Sequence, residues 1–204
     1  MKKRILVIGI TMAAAGSEKS FLSFANTIDY EKYDVDLLLA RKTGGFLPLV
    51  PEKIRILEMG ALGELFEINR KNARSVILKR YLLKNPFRCF GLFPHLMKIK
   101  RAENPERRSF AANRMWLSMM EKMPDFPGEY DIALAYWGDR TMFYMIDKVH
   151  AKRKIAWLHF DYSRPPREDA LYREYFRRCD KVVTVSTEIE KSLKAALPDV
   201  ADRV

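Results

Sequence analysis

Six short runs of aliphatic and β-branched residues, most of them separated by stretches whose apolar residues recur at helical spacing, restrict this chain more than any other feature of its sequence. The runs cover residues 5–10, 35–40, 54–57, 132–136, 155–158 and 182–185. Each is short and apolar enough to be a buried or half-buried strand. Between the first two, Phe21, Leu22, Phe24, Ala25 and Ile28 follow the stripe of an amphipathic helix entered near Gly16-Ser17. Helical patterns also follow the fourth, fifth and sixth runs, over residues 141–149, 168–178 and 187–197. In the last of these, Thr187-Glu188-Ile189-Glu190 has the form of a capping box. This alternation predicts an α/β fold: a Rossmann-like parallel β-sheet flanked by helices on both faces.

The third and fourth runs stand about seventy residues apart, far more than a plain crossover needs. The extra chain, a helical insertion about 61–127, mixes aliphatic and aromatic residues with bases and is punctuated by Pro86, Pro94 and Pro105. It reads as several short helices beside the sheet. The whole protein carries 37 Lys and Arg against 26 Asp and Glu, a net +11. Residues 70–114 alone hold 13 of those bases and two acids, Glu103 and Glu106, so the rest of the chain, with 24 of each, is neutral. A localised basic excess favours anionic partners: phosphorylated ligands, acidic lipid headgroups or nucleic acid. No RNP, KH or zinc-finger pattern accompanies it, so no nucleic acid is expected.

No charge-free apolar run reaches the roughly 20 residues of a spanning helix. Met1-Lys2-Lys3-Arg4 followed by an apolar stretch ending Ala13-Ala14-Ala15 imitates a secretory signal. The β-branched character of residues 5–10, the interruption at Thr11 and the helical pattern that follows read instead as a buried first strand. Cys89 and Cys179 make no disulfide framework and have no metal-ligand spacing, which fits a reducing cytosol.

In an open parallel sheet, ligands bind beyond the C-terminal ends of the strands, where helix N-termini and loop amides converge. Four places meet that condition. After the first run, Gly16, Ser17, Glu18 and Lys19 open a helix and offer free N–H groups, either to an anion or as an ordinary turn. Tyr136-Trp137-Gly138-Asp139-Arg140 follows the fourth run, and its Trp137 and Asp139 can line a sugar or base site or form a structural turn. At the end of the fifth, Trp157-Leu158-His159-Phe160-Asp161-Tyr162 sends His159 and Asp161 from the sheet edge, to meet a hydroxylated ligand or to pack. After the sixth, Ser186 reads most simply as a helix N-cap.

The three histidines, His95, His150 and His159, are dispersed without a cysteine pair, so no zinc site is expected. No G-x-S-x-G elbow is present, and neither is a GxGxxG or Walker-type phosphate loop. Pattern and composition thus reach a ligand-binding α/β domain with a basic patch. They do not reach a reaction.

Several stretches resemble one family. The first strand, Gly16-Ser17-Glu18-Lys19, the helix, Tyr33-Asp34-Val35-Asp36-Leu37-Leu38-Leu39, Gly45-Phe46-Leu47 and Ile54-Arg55-Ile56-Leu57 are similar to the opening of family 4 GT-B glycosyltransferases, which often read Gly-Gly-Ala-Glu-Lys at the first turn. Glu129 to Trp137, Lys154 to Tyr162 and Cys179 to Ser186 resemble members that build capsular and other surface polysaccharides. The order is kept over nearly the whole chain except in the basic insertion.

The resemblance implies retaining transfer of a sugar from a nucleotide-sugar donor, a substrate rather than a cofactor, to a glycan or lipid-linked acceptor. It further implies a cytoplasmic protein at the inner face of the cell membrane, and on that reading residues 70–114 either contact anionic lipid or form a solvated helical face whose stems cover apolar surface. Gly16, with Ala15 in place of the other glycine, matches the loop that approaches the donor phosphates. Glu18 and Lys19 match the acid and base that follow, and His159 matches the histidine that contacts the donor sugar. The chain reaches Ala201-Asp202-Arg203-Val204 where the family begins the strand leading to its second domain. The expectation is therefore that residues 1–204 form the N-terminal, acceptor-side domain, with the C-terminal donor-binding domain outside it. The rival reading of the same residues is a non-catalytic partner half that needs another chain to complete a cleft.

Overall fold

The six strands form a single sheet in the order β3-β2-β1-β4-β5-β6, with every neighbouring pair parallel. They are β1 (Lys3–Gly9), β2 (Tyr33–Leu39), β3 (Arg55–Glu58), β4 (Glu129–Ala135), β5 (His150–Leu158) and β6 (Lys181–Thr184). The computed structural model describes residues 2–66 and 91–204. Its helices are α1 (Gly16–Ala25), α2 (Phe93–Arg101), α3 (Pro105–Glu121), α4 (Asp139–Lys148), α5 (Asp169–Arg177) and α6 (Thr187–Ala196). This is the α/β architecture that the alternation predicts. The strand order reverses between β1 and β4, which places the topological switch point at the end of β1.

Alternation of side chains divides the interior into two cores. Ile5 and Val7 of β1, Leu37 and Leu39 of β2 and Leu134 of β4 face α1, which buries Phe21 and Ala25 among them. Leu6, Ile8, Leu38, Ala133, Ala135, Ala156 and Leu158 face the other way, toward Met115, Trp116 and Met119 of α3, Phe143 of α4 and Tyr172 and Phe176 of α5. Burying one such aromatic side chain contributes roughly 1.5–3 kcal/mol.

All but β3 begin earlier than their apolar runs, by one residue in β6 and by up to five in β5. The reason is electrostatic. The N-terminal ends of the strands are charged, and the charges pair across the sheet: Asp131 accepts from the Arg4 backbone N–H at 2.9 Å and from Lys152 at 2.7 Å, and Asp180 accepts from the Lys154 N–H at 2.7 Å. At the centre of this edge the Asp36 carboxylate, 6% exposed, receives two bonds from Arg55 at 2.8 and 2.6 Å and one from the Tyr130 hydroxyl at 2.8 Å. Arg4 stands 3.6 Å away. These partners hold the Asp36 carboxyl below its ordinary range against the opposing effect of burial. Asp36→Asn leaves two guanidinium groups facing a neutral amide and is expected to lower the unfolding free energy by about 2 kcal/mol in a urea titration. It lies at the edge away from the candidate site and should leave ligand binding by the folded protein unchanged.

Of the two caps the sequence offers for α6, Ser186 holds the place: its Oγ accepts from the Ile189 N–H at 3.3 Å, and Thr187, which the capping-box pattern would put there, is the first helical residue. Of the helical insertion about 61–127, residues 67–90 lie outside the described residues, with seven of the thirteen bases and Cys89. The described remainder includes α2, whose last turn carries Lys98, Lys100 and Arg101, and α3, capped by the Asn104 side chain. Among the described residues no helix is long and apolar enough to cross a membrane.

Candidate functional site

The residues that close the strands at their C-terminal ends converge beside the switch point. Gly9 ends β1, and a Cβ there would lie 2.8 Å from Trp137 Cε3, so the missing side chain is what lets the Trp137 indole lie over the strand end. Tyr136 and Trp137 leave β4 together, with ring centroids 5.0 Å apart. Trp157 of β5 is 4.9 Å from the Tyr136 ring, and His159, two residues later on the same face, is 4.5 Å from it. The Tyr136 hydroxyl is bonded to Ser20 of α1 at 2.8 Å. The first turns of α1 and the ends of β4 and β5 are therefore one packed unit.

The turn that delivers α1 is held from the side. Met12 donates its N–H to Thr43 O at 2.8 Å and accepts from the Phe46 N–H at 2.9 Å, so the loop after β2 clamps the loop after β1. Ala15, the N-cap residue, makes no side-chain cap. Gly16 is exposed, and a Cβ on it would meet nothing within 4 Å, leaving the helix N-terminus open to an approaching group. Ser17 donates to the Glu18 carboxylate at 2.5 Å. Glu18 is 4% exposed although it belongs to the first turn, while Lys19 stands in solvent.

Burial holds the His159 imidazole below its ordinary value of 6.5, and the nearby Glu18 carboxylate opposes that shift. Two distant stretches of sequence, the first turn and the end of β5, thus come within electrostatic reach. His159 Nε2, Trp137 Nε1 and Trp157 Nε1 are enclosed without a hydrogen-bond partner.

The other sequence candidates are bound into the scaffold of the same edge. Asp139 opens α4, where Thr141 accepts from the Gly138 N–H at 3.2 Å and donates to its carbonyl at 2.7 Å. Asp139 Oδ2 accepts from the Tyr172 hydroxyl at 2.7 Å and lies 3.4 Å from Arg167 Nε, an ion pair without hydrogen-bond geometry; Oδ1 is buried and unpartnered. Asp161 folds a turn, accepting from the Ser163 N–H and Oγ at 2.9 and 2.8 Å and from Ser192 Oγ at 3.0 Å, and these bonds hold its carboxyl low. Ser186 is committed to the cap of α6.

Tyr136, which the sequence offered with Trp137 as an aromatic pair, forms the aromatic floor of this edge with Trp157. Sequence reasoning passed over Trp157 and Arg167; the two-residue spacing of Trp157 and His159 on one strand was the signal that they share a face. Arg167 gave no periodic signal. Its guanidinium lies 4.0 Å from the Phe160 ring centroid and bonds the carbonyls of Asp161 and Tyr162 at 2.9 and 2.7 Å, fixing the loop after β5.

Depressions at the opposite edge are larger to the eye than to chemistry. One of about 430 Å³ is lined by Glu129, Tyr130, Asp131, Val149, His150, Ala151, Lys152 and Lys154. Its Asp131 and Lys152 are already paired with each other at 2.7 Å. It also lies at strand N-termini, away from the helix N-termini and loop amides that converge on the other edge.

Acid stability reports on the buried imidazoles. His95 is also held below 6.5, by burial and then by Lys98, Arg114 and Lys122. A histidine depressed in the folded state is protonated more readily when unfolded, so its stabilising contribution is complete above 6.5 and is lost as pH falls from there through the folded value. Urea midpoints are expected to fall between about pH 7 and about pH 5, and His95→Gln/His159→Gln should flatten that fall. The Asp36 contribution is present above 3.8 and declines only below it, so the two windows are separable.

Among the described residues no group of three or more His, Cys, Asp or Glu side chains is placed to hold a metal ion. No family model matches this chain, and no curated protein does. Among solved structures, the crystal structure of TcCGT1 in complex with UDP aligns with a TM-score of 0.40 at 12% identity, over 99% of this chain and 50% of that one. The chain thus spans about half the length of the structure it matches.

Proposed function

We propose that this chain is the acceptor-side half of a retaining GT-B glycosyltransferase of family 4, moving a sugar from a nucleotide-sugar to a glycan or lipid-linked acceptor in surface polysaccharide synthesis. The observation that carries the reading is the convergence of the Gly16 turn, the Trp137 turn and His159 at adjoining C-terminal strand ends beside the switch point. These are the segments on which the sequence resemblance rests, and the parallel sheet brings them to one edge.

In this reading the edge is one wall of a cleft whose other wall is a second, donor-binding Rossmann domain. Transfer breaks the bond from the anomeric carbon to the diphosphate oxygen and forms one to an acceptor oxygen, and it needs both partners held in near-attack geometry. This chain supplies the aromatic floor of Tyr136, Trp137 and Trp157, a neutral imidazole at His159, and the open turn at Gly16. The basic segment holds the protein against the cytoplasmic face of an anionic membrane. In its described part, Phe93 and Leu96 are 61% and 42% exposed on the helix that carries Lys98, Lys100 and Arg101. Each such cation near an anionic surface contributes on the order of 1 kcal/mol.

The test is a transfer assay in which the chain is joined with the donor-binding domain of its own gene and offered radiolabelled nucleotide-sugars with membrane extracts as acceptor. Label in a lipid-linked product is the expected result. Absence of transfer across the donor panel, with both domains folded, contradicts the reading.

A further inference from the structure

Arg167 is a cation withdrawn into an aromatic box. Its side chain is 8% exposed, and its guanidinium carbon lies 4.0 Å from the Phe160 ring centroid and 5.8 Å from those of both Tyr162 and Tyr172. Taking such a charge out of water is costly, and the cost is offset only where the group is paired and its donors are used. Arg167 draws that compensation from two separate loops. In the loop after β5, its Nη1 donates to the carbonyls of Asp161, Tyr162 and Pro165 at 2.9, 2.7 and 3.1 Å. In the turn after β4, Asp139 Oδ2 stands 3.4 Å from its Nε and accepts from the Tyr172 hydroxyl at 2.7 Å.

Each loop also has bonds that close it on itself. Thr141 Oγ1 accepts from the Gly138 N–H at 3.2 Å, and the Asp161 carbonyl accepts from the Arg164 N–H at 3.2 Å. The join between the loops runs through Arg167 and Asp139, with Phe160 beside it: a Cβ on Gly138 would stand 4.0 Å from Phe160 Cε1. A guanidinium suits this place and an ammonium does not. Its flat face rests on an aromatic ring while the nitrogens on its edge reach carbonyls and a carboxylate in different directions, whereas a lysine offers a strongly hydrated point charge.

We infer that Arg167 is a positioning residue of this edge: its guanidinium locks the turn bearing Trp137 and Asp139 to the loop bearing His159 and Asp161, so that the two open and close as one unit in the absence of any ligand. The inference goes beyond the glycosyl-transfer reading and rests on it only for taking this edge as the site.

Amide hydrogen exchange of the full chain, followed in ¹H–¹⁵N correlation spectra, tests it, because exchange of hydrogen-bonded amides tracks local opening. The Gly138 N–H and the Met142 N–H, the latter held by Gly138 O at 3.2 Å, report on the turn after β4. The Ser163 N–H, held by Asp161 Oδ1 at 2.9 Å, and the Arg164 N–H report on the loop after β5. Leu6 and Leu38, in the middle of β1 and β2, report on the global fold. Arg167→Lys is expected to speed exchange at all four loop amides by about tenfold or more, the loss expected for hydrogen bonds to a charged group, with Leu6 and Leu38 unchanged. Asp139→Asn keeps an oxygen for the Tyr172 hydroxyl and removes the charge. It is expected to speed Ser163 and Arg164, whose amides bond to Asp161 and not to Asp139. Arg167→Lys/Asp139→Asn should exchange no faster than Arg167→Lys alone, since the two residues act through one contact.

The inference is overturned if Arg167→Lys speeds only Ser163 and Arg164, if Asp139→Asn leaves those two unchanged, or if the two effects add in the double variant. Should Arg167→Lys fail to fold, judged by Leu6 and Leu38, the response of Ser163 and Arg164 to Asp139→Asn decides. No ligand enters the experiment, so the glycosyl-transfer reading stands or falls separately on the transfer assay.

Discussion

If the glycosyl-transfer proposal holds, replacing His159 with alanine in the chain joined to a donor-binding domain is expected to lower kcat/KM for transfer by about a hundredfold or more, the usual loss when a group acting in the transition state is removed. Stability should fall much less. The imidazole lies tilted against Tyr136 at 4.5 Å and near-parallel to Trp157 at 6.1 Å, and contacts of this kind contribute about 0.5–1.5 kcal/mol beyond the area they bury. A hundredfold loss corresponds to about 2.7 kcal/mol, so the two effects are resolvable by pairing initial rates with urea unfolding of the same preparation. Equal losses in both would assign His159 to packing.

Gly44→Ala is expected to have a large effect on folding. Gly44 has φ +126°, a conformation that L side chains rarely adopt, and a Cβ there would lie 2.1 Å from both the carbonyl carbon and oxygen of Met12. Neither obstacle is a flexible side chain. The backbone must move, at a cost of about 4 kcal/mol or more once strain and clash combine. Movement of Met12 also releases its bonds to Thr43 and Phe46, which place the turn before α1. The loss should appear as a depressed unfolding midpoint. Gly16→Ala is the control: its Cβ meets open space, so stability should change by less than about 0.5 kcal/mol.

The sheet was legible because its determinants are local. Each strand is a contiguous apolar run, and the parallel order follows from the helical patterns between runs. Strand starts were not legible, since the segment that extends β5 from Ile155 back to His150 carries Lys152, Arg153 and Lys154 and joins the ladder through cross-strand partners such as Asp131 and Asp180. The sequence offered both Ser186 and Thr187 as the cap of α6, two good capping residues, and backbone geometry rather than residue type decides for Ser186.

At the site, the four turns could be located from strand ends, and the resemblance singled out His159 and Glu18. That Glu18 turns inward while Lys19 turns out could not be read from their adjacency. The engagement of Asp139 by Tyr172 and Arg167 joins residues about thirty apart through α5 and the loop before it, a relation that carries no sequence period.

On the proposed function, ligands meet this protein at the C-terminal edge of its sheet. Hydrogen–deuterium exchange of the chain joined to a donor-binding domain, with and without nucleotide-sugar and a hydroxylated acceptor, measures this. Slowed exchange is expected in peptides spanning residues 10–20, 136–141 and 158–163, with residues 129–131 and 149–154 unchanged. Protection confined to those latter segments, beside the depression at the opposite edge, would contradict it.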